Sequence, residues 1–300
     1  RLLQFLSKKE TNIYLNELRK ITNNIIKKNS IILKNELKKI KNLENKIEIL
    51  NKSKISEIQK IFFYIKDCKK LGTLPFAGVA RCAFIATKIL RSLVEIKILS
   101  EKDLENFYES IFTVTKRMNL AYKKINNINK KNSFLKMYGH LRPSTYSITS
   151  KNYNENFNKY FSKKSKNIIP PIKKFKVNKM QEKQIDKIFL KHKLKFNCKE
   201  FLKFAAKSIN NREYTKLIFS KSINEIFNNL IKFSKEIKIS REDLEYISIK
   251  NFINYYSGVD VEKLKKIIKN EINQNKKNLK ILNLIEFPEF ISDIKNLYYQ

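Results

Sequence analysis

Residues 72–94 read GTLPFAGVARCAFIATKILRSLV, and this stretch decides the fold. Its segment 76–86, FAGVARCAFIA, is apolar on every side except at Arg81, the pattern of a helix buried at the centre of a domain. The preceding Gly72-Thr73-Leu74-Pro75 reads as a turn. Pro75 suits the first position of the next helix, where a missing backbone N–H costs nothing. That helix is expected from Phe76 to about Ile98.

Working outward, nearly every segment carries apolar residues three and four apart, and alternating runs are scarce. The expectation is an all-α fold, a single large helical bundle. Amphipathic helices at about 8–28, 32–50 and 53–70 form an N-terminal layer, residues 1–71, of the same domain as residues 72–300. Beyond the central helix, Ser100 and Asp103 make a capping-box start for a long helix to about Ile125. Residues 126–133 read as a solvated break and Phe134–Tyr138 as a short helix. One long irregular loop follows at about 139–177. Its aromatics, Tyr138, Tyr146, Tyr153, Tyr160, Phe157 and Phe161, are too many for plain disorder, so the loop is expected to pack over something. Helices resume at about 178–191, 197–218, 221–237, 248–256, 259–274 and 288–298, with Ser240 as an N-cap.

The chain has 64 Lys and Arg against 28 Asp and Glu, a net charge of +36. Such a balance points toward nucleic acid or an acidic surface. Lys, Asn and Ile crowd the sequence while Gly numbers 4, Pro 5 and Trp 0, which attributes much of the charge to compositional drift. Runs such as Lys163-Lys164 and Lys173-Lys174 read as solvated faces, and His192 as a surface residue. Cys68, Cys82 and Cys198 lack the spacing of a zinc site and the density of a secreted disulfide scaffold, so no metal is expected and a reducing cytoplasm is. Lys or Arg interrupts each apolar run before the ~20 residues of a membrane span. No signal peptide opens the sequence. The start at Arg1 and end at Gln300 are read as marking a piece of a longer polypeptide.

Against this lysine-rich background the positions that remain arginine are candidates for needing a guanidinium. Arg81 and Arg142 are joined by rare residues: Gly72, Pro75 and Gly78 near the first, and Gly139, His140 and Pro143 near the second. A buried Arg81 demands a carboxylate or an anionic ligand, and Gly78 leaves that face open. In GHLRPSTY, residues 139–146, Gly139 stops a helix and Pro143 stiffens a turn. His140, Arg142, Ser144, Thr145 and Tyr146 crowd hydrogen-bonding groups together. The loop is either an anion cradle, with His140 available as acid or base, or a structural corner. Arg212 and Lys216, one helical turn apart, are neutralised by Glu213, by another acid or by a ligand.

Together with residues 72–94, the stretches FLKMYGHLRPSTYSITSKNYNENF (134–157), NNREYTKLIFSKSINEIFNNL (210–230) and ISREDLEYI (239–247) resemble the central helical region of phosphoenolpyruvate synthase-like proteins. These are PEP-utilising, dikinase-related phosphotransferases. The resemblance covers about residues 72–290. It implies an ATP-grasp domain and a swivelling phosphohistidine domain elsewhere in the same polypeptide, with ATP and Mg used there. It implies that this chain binds the phosphoryl acceptor, binds no cofactor itself and is inactive alone. The family loop reads Gly-Thr-Tyr-Asp after the proline, whereas Ser144 and Ser147 stand here for the glycine and the acid. An anion pocket is therefore expected over a proton-transfer site.

The leading expectation is an acceptor-binding domain for an anionic or hydroxyl-bearing small molecule. Arg81, His140, Arg142, Thr145, Tyr146, Arg212 and Lys216 are its candidate site. Two rivals are a helical nucleic-acid-binding module and a passive helical linker. The linker reading predicts that every rare arginine is capped by an acid.

Overall fold

The computed structural model describes residues 6–27, 29–162, 174–254 and 260–284. Among these there is no strand, and the fold is all-α. In chain order the helices are α1 (Lys8–Lys27), α2 (Asn29–Lys52), α3 (Glu57–Asp67), α4 (Leu74–Glu95), α5 (Glu101–Ser110), α6 (Val114–Lys123), α7 (Ile128–Tyr138), the single turn α8 (Phe157–Tyr160), α9 (Lys179–Lys191), α10 (Cys198–Glu236), α11 (Lys250–Asn254) and α12 (Val261–Leu282). The expected tail helix at 288–298 and the centre of the irregular loop, 163–173, lie outside the described residues.

The chain divides into two compact units, each built from three stretches of sequence. One unit takes residues 1–51, 67–141 and 152–222, and the other residues 52–66, 142–151 and 223–300. In the first, α4 buries Val79, Cys82, Ala86, Leu90 and Leu93 against Phe107 of α5, Phe189 of α9 and Phe201 and Phe204 of α10. A second cluster gathers the loop aromatics, as expected. Phe161 lies 4.8 Å from Tyr122 and 4.9 Å from Tyr153, and Phe134 5.4 Å from Phe161. Tyr146 stays out of it, 67% exposed. In the other unit Leu264 and Ile268 of α12 are fully buried, and Phe233 meets Phe252 edge-on at 5.9 Å.

The expected turn at Gly72–Pro75 is a π-helical segment, Cys68–Thr73, so the helix does not stop there. Leu74 N–H bonds five residues back to Lys69 O, and this wide turn accommodates the donor that Pro75 lacks. Gly72 is buried, and a Cβ there would stand 3.1 Å from both Leu43 Cδ2 and Phe219 Cβ. The helical run Glu57–Glu95 thus contains a window of mean hydropathy 1.4, long and apolar enough to cross a membrane. Its α4 portion uses that apolar stripe in the core described above.

Three other expected boundaries move for identifiable reasons. The helix opened by Ser100 ends at Ser110, because Thr113 caps a new helix by accepting from Lys116 N–H. The polar stretch 126–133 is mostly the first turns of α7, capped by Asn127 on Lys130 N–H at 2.9 Å. The helices expected at 197–218 and 221–237 are one, with Ser220 Oγ donating back to Leu217 O. The capping box at Ser100 and Asp103 forms as expected. Accepting from Ser100 N–H holds the Asp103 carboxyl below its usual range. Ser240 Oγ accepts from Asp243 N–H at 3.1 Å, opening a short 3-10 turn, Asp243–Tyr246.

Helices α4, α9 and α10 close in the same way. In each, a lysine with positive φ (Lys97 59°, Lys193 55°, Lys238 55°) follows the cap, and the next residue, Ile98, Leu194 or Ile239, bonds back five positions. This is the Schellman arrangement, in which glycine is the cheapest residue at the left-handed position. Lys97→Gly is therefore expected to stabilise the fold by about 1 kcal/mol, raising Tm by about 2–4 °C, while Lys97→Ala gives no such gain. Differential scanning calorimetry of the two variants checks this.

All three cysteines are free and buried. Burial raises each thiol, Cys198 to about 12 with Asp186 and Glu182 adding to the effect. A raised pKa suppresses the thiolate that alkylating agents attack. Iodoacetamide at pH 8 should leave Cys198 unlabelled in the native protein and label it in denaturant, read by mass spectrometry.

Candidate functional site

The GHLRPSTY loop begins at the end of α7, where Gly139 N–H bonds to Leu135 O at 2.7 Å. A Cβ on Gly139 would stand 2.2 Å from Asn154 Oδ1, so this position requires glycine. The backbone of Asn154 returns to Gly139 O at 3.0 Å and that of Tyr153 to Leu141 O at 2.9 Å, fixing the loop's entry. His140 is 9% exposed, and its Nε2 lies 3.0 Å from Leu217 O and 3.2 Å from Ser220 Oγ. A carbonyl only accepts, so Nε2 carries a proton and donates. Ser220 Oγ gives its own proton to Leu217 O at 2.8 Å. This ring nitrogen ties the loop to α10.

In the second unit Arg142 is 7% exposed. Its Nη1 donates to Ser150 O at 3.1 Å and Ser147 O at 3.4 Å, its Nη2 to Asn224 Oδ1 at 2.5 Å, and its guanidinium stacks 4.9 Å from the Phe227 ring. Arg241 Nε donates to Ile148 O at 2.7 Å. Two arginines thus clamp the carbonyls of residues 147–150, which is the structural-corner reading of the loop.

The clamped segment lines a cleft of about 630 Å³ together with the end of α10 and the residues that follow it. Its apolar walls include Ile148, Phe227, Leu230, Leu244 and Phe252, and hydroxyls of Ser144, Thr145, Tyr146 and Ser147 line it on the loop side. Glu245 is the ionisable carboxylate of the lining. Ser147 Oγ and Thr149 Oγ1 donate to its Oε1 at 2.9 and 2.7 Å and lie 2.8 Å from each other. With both hydroxyl protons placed on Oε1, Oε2 has no donor among the described residues. This end of the cleft therefore sets a carboxylate acceptor, Glu245 Oε2, beside the hydroxyl-bearing residues Ser144, Thr145 and Tyr146.

Arg81 is exposed rather than buried, because the buried stripe of α4 runs along one face and Arg81 falls opposite it. It therefore needs no buried counter-charge. The Cβ side of Gly78 meets Glu36 at 3.6 Å. Arg212 and Lys216 are exposed, and the Arg212 guanidinium lies 5.5 Å from the ring of Phe84, itself one turn from Arg81 on α4. Glu213 does not neutralise them: its carboxylate accepts Thr115 N–H at 3.3 Å. Among the described residues no carboxylate pairs with Arg81, Arg212 or Lys216. Thr145 and Tyr146 line the cleft, as does the chain after Pro143. Arg81, His140, Arg212 and Lys216 belong to the first unit and Arg142 to the second.

Sequence reasoning missed Glu245, Thr149, Asn224 and Phe227, and passed over Arg241. Only Arg241 carried a usable signal, its rarity. No family model, curated protein or solved structure matches this chain.

Removing the Arg142 guanidinium takes a donor from the half-buried carbonyls of Ser147 and Ser150 and from the buried Asn224 Oδ1. Arg142→Ala should cost about 2–4 kcal/mol in urea unfolding. Arg142→Lys should recover little of it, since an ammonium cannot span Ser147, Ser150 and Asn224 at once. A stability unchanged by Arg142→Ala would restore the guanidinium to a ligand-binding role.

Proposed function

We propose that this chain is the acceptor-binding helical domain of a phosphoenolpyruvate synthase-like, ATP-dependent phosphotransferase. The acceptor is an apolar small molecule bearing a hydroxyl, held in the Glu245 cleft. The resemblance of residues 72–94, 134–157, 210–230 and 239–247 supports the class. ATP-grasp and phosphohistidine domains, working with ATP and Mg in a reducing cytoplasm, would supply the phosphoryl group. Such transfer is largely positioning, so a domain that orients the acceptor hydroxyl contributes to it without a nucleophile of its own.

The single observation that carries the ligand class is the Glu245 carboxylate held at one end of an apolar cleft. Glu245 Oε2 can only accept a hydrogen bond and carries charge, so it suits a ligand hydroxyl and repels a carboxylate or phosphate. Within the two candidate chemistries, anionic or hydroxyl-bearing, this favours the second. Arg142 and Arg241 are engaged with backbone carbonyls. The passive-linker reading needs acid-capped arginines, and among the described residues no carboxylate pairs with Arg81 or Arg212.

Titration calorimetry of the chain with a panel of aromatic and branched aliphatic alcohols, their deoxy analogues and their carboxylate counterparts tests this. The alcohol should bind at least tenfold more tightly than its deoxy analogue, and the carboxylate should bind weakest. Glu245→Gln should erase the alcohol preference and leave the fold intact. Carboxylates binding best, or an unchanged preference in Glu245→Gln, would overturn the reading.

A further inference from the structure

A second concave site lies in the first unit, between α1 and the turn that joins α9 to α10. This groove of about 590 Å³ is lined on the α1 side by Arg19, Lys20 and Lys27 and on the turn side by Lys193 and Lys195, with Asn16, Asn23 and Asn24 among them. The single acid in the lining, Glu17, is held by Lys20 at 2.5 Å. Arg19 reaches only an amide, Asn16 Oδ1, at 2.8 Å. Among the described residues no carboxylate pairs with Arg19, Lys27, Lys193 or Lys195.

The turn is held in place rather than merely carrying charge. Asn23 is 7% exposed; its Nδ2 donates to Lys193 O at 3.1 Å, and its Oδ1 accepts Lys195 N–H at 2.8 Å. The same turn is closed by the Schellman bonds Lys193 N–H to Leu190 O and Leu194 N–H to Phe189 O. A buried amide thus fixes the backbone from which Lys193 and Lys195 project, on the far side of a concave surface from three cations of α1. Like charges brought together in a concavity raise one another's energy, and an anion placed among them removes that cost. A charge of +36 spread by drift explains exposed lysines anywhere on the surface; here five cations line one groove whose turn side is fixed to α1 through its backbone.

We propose that this groove binds a di- or triphosphate group. The lining holds no aromatic ring for a base to stack on, and its one acid is already paired. Recognition is therefore of the phosphate chain, by charge-assisted hydrogen bonds from Arg19 and the lysines and by the amides of Asn16 and Asn24. Inorganic triphosphate and a nucleoside triphosphate present the same chemistry, and both would enter by the phosphate end. The site shares no residue with the Glu245 cleft.

The test is titration calorimetry of the chain with inorganic triphosphate at 150 mM salt. Binding should weaken at least tenfold in Lys193→Gln/Lys195→Gln and remain unchanged in Lys263→Gln/Lys266→Gln, which removes the same charge from exposed positions on α12. Asn23→Ala, which frees the turn without removing a cation, should also weaken binding. Parallel titrations with ATP separate the sources: equal affinity assigns the phosphate chain alone, and tighter binding with the same variant sensitivity assigns a nucleotide. No binding of triphosphate to the unaltered chain, or equal losses in the two double variants, would overturn the site, the second result reducing it to bulk charge. A DNA duplex that binds at this salt while triphosphate does not would likewise overturn it in favour of a nucleic-acid surface.

Discussion

The buried guanidinium of Arg142 is the interaction on which the candidate site rests. Desolvating an arginine costs several kcal/mol unless its donors are met. Here they are met by Ser147 O, Ser150 O and Asn224 Oδ1, with the face of Phe227 beside the charge. Ser147 and Phe227 also line the cleft. Residues 147–150 carry Ser147 and Thr149, whose hydroxyls hold Glu245, and Phe227 is part of the cleft wall. One cation, spent inside the protein, thereby helps set the position of one carboxylate that lines the cleft.

That arrangement reverses the usual inference from a rare arginine. In a chain where lysine is the default cation, an arginine that persists does need its planar fork, but the need can be a set of backbone carbonyls as readily as a phosphate. Arg142 and Arg241 illustrate the first case. The scarcity of glycine has a parallel consequence. Lys97, Lys193 and Lys238 occupy left-handed positions that glycine would fill more cheaply, whereas Gly72 and Gly139 remain where a Cβ would collide with Leu43, Phe219 or Asn154.

The all-α class was legible because apolar spacing of three and four is a long-range pattern that survives substitution by Lys, Asn and Ile. Caps whose oxygen acts three residues away, Ser100 and Ser240, were legible for the same local reason. What could not be read was set by distant contacts. The π segment before Pro75 depends on Gly72 fitting against Leu43 and Phe219, and the exposure of Arg81 depends on which face of α4 the rest of the first unit covers. Glu245 looked like one acid among 28 in the sequence. Its role appears only when residues 98 and 96 positions away bring their hydroxyls to it. Within GHLRPSTY, the partners of Arg142 are the Ser147 and Ser150 carbonyls and Asn224 Oδ1, the last 82 positions away and so outside any local pattern.

The account turns on Arg142 being consumed internally, and side-chain NMR of the protein labelled with 15N-arginine observes that directly. The account predicts separate, slowly exchanging Nη1 and Nη2 signals for Arg142, with restricted rotation about the Nε–Cζ bond, that do not move when phosphate or a carboxylate is added. A single rotationally averaged signal that shifts on adding an anion would contradict it and return the arginine to the ligand.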